Sequence, residues 1–292
     1  MTSTLIPWYN VSNYWQLTDL LTAANLYIKG RTIMNQNAVL VEKTDHIGII
    51  TLNRPESLNT FNVPLATELN QALKDLDADE DTRVVVIRGA GKGFCAGIDV
   101  SALSEGKSPL EYYDWITLMD EWSITISKMK KPVIASAHKI AVANGIGIVA
   151  SSDLCVAAEG TRFGATAVNV GLFCMGPAVA LSRNLGRKKS LELLLTGEMI
   201  DAREAERIGL INKVVPLDQL EEETMKLART LAAKSPLGLQ MGKQSFYKMA
   251  DLPYEKAYEL TGNHFAMLCT AEDAHEGVDA FFNKREADWK LK

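Results

Sequence analysis

Between Lys131 and Ser152 the chain has no aspartate or glutamate, and the stretch from Gly160 to Leu191 has none either. The protein as a whole is not short of acid, with 36 acidic residues against 31 basic and a net charge of −5. The two gaps are therefore local. Other scarcities bound the class. The four cysteines, Cys95, Cys155, Cys174 and Cys269, are widely spaced and form no CxxC pair. That pattern excludes a zinc site and a disulfide framework, and it fits a reducing compartment with free thiols. No uninterrupted apolar run reaches the roughly 20 residues of a membrane span. The N-terminus lacks a basic flank followed by an apolar core, so no secretory signal is expected and the cytoplasm is the expected location. A mildly acidic chain without a basic stripe carries no electrostatic footprint for nucleic acid.

What is present is ordinary globular material. Hydrophobic residues make up 47% of the 292 and charged residues 23%, enough for one large domain or two modest ones with a substantial core. Residues 1–36 stand apart as an N-terminal extension, aromatic-rich and with Asp19 as their only acid. They read as a short amphipathic helix packed on the body or a neighbour, as a tail with little structure, or as a start assigned too early, before Met34.

From residue 37 to 215 strand and helix signals alternate. "AVLVEK" and "HIGIITLN" are β-branched runs around a Thr44-Asp45 turn, a hairpin signal. Pro64 suits the first turn of a helix, and Leu65, Leu69, Leu73 and Leu76 recur at helical spacing after it. "TRVVVIRGAG" reads as a buried strand, "KPVIASAHKIAV" as another, "NGIGIVASSD" as a helix and "LCVAAEGTRFGA" as a strand. This alternation implies an α/β domain with crossover connections. Helical periodicity then dominates residues 216–292. "LDQLEEETMKLARTLAAKS" places its acids first and its bases last, the order a helix dipole favours.

Two strand ends are rich in small residues: "GAGKGFCAGID" (Gly89–Asp99) and "AVANGIG" (Ala141–Gly147). Such turns leave peptide N–H groups able to face a ligand. Two converging N–H groups would form an oxyanion hole for charge developing on a carbonyl oxygen. Read without that pairing, both are tight strand-to-helix turns. "GAGKGF" is neither a dinucleotide fingerprint nor a Walker A loop.

Four blocks, "HIGIITLNRPESLNTF", "VVVIRGAGKGFCAGIDV", "KPVIASAHKIAVANGIGIVASSDLCVAAEGTRFGA" and "LLLTGEMIDAREAERIGLINKVVP", resemble successive segments of the crotonase (enoyl-CoA hydratase/isomerase) superfamily. The resemblance spans roughly residues 38 to 288. It implies an α/β fold: a spiral of ββα units with a trailing helical trimerisation subdomain, assembled as a homotrimer or a dimer of trimers. It implies an acyl-CoA thioester as substrate or ligand, with no separate cofactor and no metal. Carried over residue by residue, the oxyanion-hole N–H groups fall on Ala96 and Asn144. Substrate-binding positions fall on Glu56, Ser57 and Leu58, on Gly97, Ile98 and Asp99, and on Phe281 and Lys284 of "FFNKRE", the last two serving a neighbouring subunit. Asn144 replaces a glycine of the family pattern, and its side chain would reach the thioester or a water beside it.

Hydratases of this superfamily use two glutamates as general acid and base, one activating water and the other delivering a proton to Cα. Here the corresponding positions hold Gly147 and Ala167. The positions where related isomerases, dehalogenases and naphthoate synthases carry an alternative acid hold Cys174 and Met175. Cys174 is carried forward as a candidate catalytic thiol, beside its other reading as a small buried hydrophobe. Three functions are expected to compete: a hydratase/isomerase-type enzyme whose acid–base group has moved, with standard hydration doubtful; a decarboxylase or thioester hydrolase using oxyanion stabilisation alone; and a non-catalytic acyl-CoA binder.

Overall fold

The β-branched runs of the first two strands pair at once. β1 (Val39–Thr44) is antiparallel to β2 (Ile47–Leu52) across the Asp45–His46 turn, where both residues take positive φ. The computed structural model describes residues 37–291, so the expected N-terminal extension over residues 1–36 lies outside the described residues. After β2 come α1 (Val63–Ala78), β3 (Val84–Gly89), α2 (Pro109–Lys128), β4 (Val133–Ala137), β5 (Ile140–Val142) and α3 (Asn144–Ser151). β6 (Leu154–Ala158), β7 (Arg162–Gly164), α4 (Met175–Thr196), β8 (Met199–Asp201), α5 (Ala202–Arg207) and β9 (Lys213–Val215) complete the alternation. The chain then runs through α6 (Leu220–Ala232), α7 (Pro236–Met249), α8 (Tyr254–Cys269) and α9 (Glu272–Phe282).

The main sheet has the order β1-β2-β3-β4-β6-β9, parallel from β2 onward. Its inner strands are buried on both faces, which is why "VVVI" and "VIASA" read as continuous apolar runs rather than alternating ones. A smaller sheet, β5-β7-β8, stands apart from it. Here the structure departs from the sequence reading. "KPVIASAHKIAV" is two strands in two sheets, broken at Lys139, which has φ +58. "LCVAAEGTRFGA" breaks likewise at Gly160, with φ +76. Each positive φ reverses the pleat and redirects the strand.

Local signals account for the helix ends. Asn62 caps α1, its Oδ1 accepting from Leu65 N at 3.0 Å with Pro64 in the first turn. Leu65, Leu69, Leu73 and Leu76 all lie buried on its inner face, and burying one such leucine contributes about 1.5–3 kcal/mol. Ser108 and Glu111 form a reciprocal capping box at the start of α2. α4 is interrupted at Gly186, whose φ +70 and ψ 166 are not helical.

α6 lays Ala228 and Ala232 against Ile47, Ile49, Val84, Val86 and Ile134 of the main sheet. α7 is tied down by a buried pair: Lys243 Nζ meets Asp153 Oδ2 at 2.7 Å, while Tyr247 donates its hydroxyl to Asp153 Oδ1 at 2.9 Å. Asp153 also caps β4 by accepting from Val133 N at 2.7 Å. Removing one partner of such a buried pair costs about 3–5 kcal/mol. α8 and α9 instead leave Tyr254, Tyr258, Phe265, Met267, Phe281 and Phe282 exposed.

Candidate active site

The two glycine-rich strand ends meet. Phe94 N and Cys95 N donate to Ile140 O at 3.1 Å, and Val142 N donates to Cys95 O at 3.0 Å, so residues 94–98 run alongside β5. A Cβ on Gly145 would collide with the Cys95 carbonyl oxygen. A Cβ on Gly97, whose φ is +101, would stand 2.6 Å from the Ala143 Cβ and 3.7 Å from Asn144 N. Only glycine permits this approach at both positions. Ala143 itself holds φ 49 and ψ −114, a sparsely populated conformation for a residue with a side chain, directly before Asn144 opens α3.

The third strand of this junction is the loop that contains Glu56, Ser57 and Leu58. Leu58 and Asn59 both have positive φ. The fully buried Asn59 amide donates to Ala90 O, Gly93 O and Phe94 O at 3.0, 2.9 and 3.1 Å, joining this loop to the glycine-rich one. Leu58 O accepts the Ala96 N–H at 2.9 Å. That bond revises the sequence reading, because Ala96 has no N–H left for a ligand. Phe61 N takes Gly97 O, and Asp99 N takes Phe61 O, leaving the intervening amide of Ile98 outside the pairing. Among the described residues neither the Ile98 N–H nor the Asn144 N–H has a protein acceptor. These two neighbouring donors flank Gly97 and the Ala143 turn.

Asp99 lies at the rim, with Oδ1 accepting from the Ser101 hydroxyl at 2.7 Å and Oδ2 paired with the Arg54 guanidinium at 3.7 Å. The Ser101 hydrogen bond, more than the Arg54 charge, holds its carboxyl below the usual carboxylate range. Glu56 is exposed and Ser57 donates to Arg54 O at 3.2 Å. Phe281 and Lys284 belong to the α9 end. Phe281 lines a groove with Leu268, Val278, Phe282 and Trp289 that shares no wall with Asn144 or Ile98.

The Asn144 side chain does not reach toward a ligand. It is buried and turns back onto α2, with Nδ2 donating to Met119 O and to Asp120 Oδ1, both at 3.1 Å. Asp120 did not emerge from sequence reasoning. The signal available was an acid four residues after Ile116 and next to Met119, on the inward stripe of α2. Burial pushes its carboxyl up to about 6, against the Asn144 hydrogen bond that lowers it. The carboxylate packs over Gly176, where any Cβ would overlap it.

Gly147 faces a filled space. A Cβ there would stand 3.0 Å from both Pro177 Cγ and the far edge of the Trp122 indole. Trp122 is buried and tilts against Phe61, ring centroids 6.1 Å apart. Cys174 is buried next to Ala167; burial pushes its thiol up, and the Asp120 charge adds to that, while a hydrogen bond from the Ala167 backbone opposes it. A protonated thiol is the opposite of what a nucleophile requires.

A sequence model described as enoyl-CoA hydratase/isomerase matches residues 42–292. The chain belongs to the enoyl-CoA hydratase/isomerase family. It is 36% identical over 245 residues to the mitochondrial enoyl-CoA hydratase domain-containing protein 3 of Mus musculus, covering 84% of this chain and 82% of that protein. A probable enoyl-CoA hydratase of Rhizobium meliloti is 34% identical over 258 residues, with 88% and 99% covered. Among solved structures, an enoyl-CoA hydratase of Mycobacterium smegmatis superposes with a TM-score of 0.84 at 36% identity, covering 87% of this chain and 99% of that one. The human enoyl-CoA hydratase domain-containing protein 3 gives 0.83 at 35% identity, with 86% and 100% covered. The crotonase-type α/β fold expected from the motif blocks is therefore the fold of this chain. Family members act on CoA thioesters, and among the described residues no helix is long and apolar enough to cross a membrane.

Proposed function

We propose that the protein is an acyl-CoA enzyme that polarises a thioester carbonyl between the Ile98 and Asn144 N–H groups and does not perform ordinary enoyl-CoA hydration. The observation that carries this reading is the pair of adjacent amides without protein acceptors, held together by Gly97 and Gly145. Fixed donors aimed at developing oxyanion charge are worth more than the same groups in water, because they need no reorganisation. The hydratase half of the family's chemistry lacks support. Gly147 and Ala167 stand where the two glutamates are expected, and Trp122 and Pro177 fill the space beside Gly147. The loop through Glu56, Ser57 and Leu58 and the Ile98–Asp99 rim are proposed to hold the CoA moiety.

The exposed aromatic residues of α8 and α9 favour a homo-oligomer, a trimer or a dimer of trimers, with Phe281 and Lys284 meeting a neighbour's ligand. All four cysteines are free, which favours a reducing compartment such as the cytoplasm.

Calorimetric titration with butyryl-CoA and with free CoA, beside a crotonyl-CoA hydration assay, tests the reading. The acyl thioester is expected to bind more tightly than CoA. Hydration is expected to fall about 10²–10⁴-fold below a typical turnover of ~10 s⁻¹. Equal affinity for the two ligands, or hydration at the typical rate, overturns it.

A further inference from the structure

We propose that Asp120 is the catalytic carboxylate of this site, and that it shuttles a proton between carbons of a bound enoyl thioester, moving the double bond instead of adding water. The inference rests on the thioester reading above and names the reaction class it supports.

Position is the first ground. The stretch without acid from Lys131 to Ser152 builds β4, β5 and α3, and the stretch from Gly160 to Leu191 builds β7 and most of α4. The walls that carry Gly147, Ala167 and Cys174 therefore have no carboxylate of their own. Asp120 reaches the same cluster from a different helix: its charge acts on Cys174, its oxygen accepts from Asn144, and its carboxyl lies on Gly176. The missing acid has a replacement delivered from α2.

The second ground is fixed geometry. Asn144 contributes its backbone N–H to the thioester oxygen and its side-chain Nδ2–H to Asp120. One residue thus sets the distance between the oxyanion donor and the carboxylate. The bare Cα of Gly176 leaves the carboxylate the room that any larger residue would take.

The third ground is number. Adding water uses two positioned groups, one to activate water and one to protonate carbon. The space at Gly147 is closed by the Trp122 ring and Pro177, and both are apolar. A single carboxylate beside an apolar wall suits a transfer in which the same proton leaves one carbon and arrives at another.

The step balances within the substrate. With a 3-enoyl thioester, the Asp120 carboxylate takes a proton from C2, and the C–H electron pair forms the C1–C2 double bond. The carbonyl π pair moves onto oxygen, where the Ile98 and Asn144 amides hold it. When that pair returns, the C1–C2 pair shifts to form C2=C3, the former C3=C4 pair takes the proton at C4, and Asp120 is again a carboxylate. Substrate and product are isomers, so neither water nor an oxidant is consumed. With its pKa pushed up to about 6 by burial, Asp120 is ionised at neutral pH yet basic enough to accept the proton. Among the described residues the other titratable group facing it is the Cys174 thiol at the start of α4, raised and protonated over the same range. Its neighbour Glu121 instead pairs with Lys74 of α1 at 2.8 Å.

The test uses the full-length protein with trans-3-hexenoyl-CoA as probe, following conversion to the 2-enoyl thioester. Conversion is expected, with a rate that rises with pH through about 6 and then levels. Asp120→Asn is expected to lower it at least ~10²-fold while butyryl-CoA affinity stays within about twofold. A folded Asp120→Asn variant with the parental rate overturns the proposal. So does a profile of the unmodified protein that stays flat between about pH 5 and 7, a readout that needs no variant to fold. Binding of butyryl-CoA without any conversion overturns the proton shuttle and leaves the thioester reading standing. Loss of butyryl-CoA binding in the unmodified protein overturns both.

Discussion

Asn144 Nδ2 donates to Asp120 Oδ1 at 3.1 Å, and this bond joins the first turn of α3 to the middle of α2. It stabilises the ionised carboxylate, opposing the burial that raises the pKa. Replacing Asn144 by Gly keeps the backbone N–H and removes the side-chain donor. The expected result is an Asp120 acid limb displaced to higher pH, because the charged form loses its partner. Turnover on trans-3-hexenoyl-CoA at neutral pH is expected to drop about tenfold, from a base less ionised and less well oriented. The check is a pH–rate profile of the variant against the parent, where an unmoved limb contradicts the coupling.

Asp120 also makes a stability prediction with a definite sign. Its folded value of about 6 lies above the unfolded value of 3.8. Between these values the folded chain binds more protons than the unfolded chain, so this group's contribution falls as pH rises. The favourable contribution is complete below about pH 4 and is lost by about pH 6. A shift of about two units corresponds to at most ~3 kcal/mol. Asp120→Asn, which keeps an oxygen for Asn144 but never ionises, is expected to be more stable than the parent at pH 7 by about 1–3 kcal/mol. The gain should vanish near pH 4. Urea unfolding at the two pH values measures it, and equal stability at both contradicts the burial of this carboxylate.

Restoring the family glutamate should not restore hydration. A side chain at position 147 meets Pro177 and Trp122 from its first carbon onward. Gly147→Glu is expected to cost about 1–3 kcal/mol through overpacking and to leave crotonyl-CoA hydration at the parental level. Thermal melting together with the hydration assay reads both outcomes. A stable variant with a large gain in hydration would show that the site accommodates the older arrangement.

The fold was legible in the sequence because its blocks are local: the "FCAGID" turn, the leucines of α1 and the small residues of "ANGIG" each specify their own geometry. What escaped was set between elements. The two long apparent strands each divide at one residue, Lys139 or Gly160, and hydrophobicity continues unbroken across the break. Ala96 is adjacent to the correct turn, but its N–H is consumed by Leu58 O, on the order of 130 Å away along a fully extended chain yet 2.9 Å away in the fold. Asp120 looks like any acid on an amphipathic helix until α3 and α4 close over it. The Asn144 side chain could be seen to be unusual, but its direction depended on where α2 packs.

The claim on which the rest stands is that the Ile98 and Asn144 amides grip the thioester oxygen. The most direct measurement is difference infrared spectroscopy of butyryl-CoA labelled with ¹³C at the thioester carbonyl, free and bound. Two hydrogen bonds to the oxygen weaken the C=O bond, so the account predicts a carbonyl band moved to lower wavenumber on binding. Saturable binding with the band unmoved would contradict it.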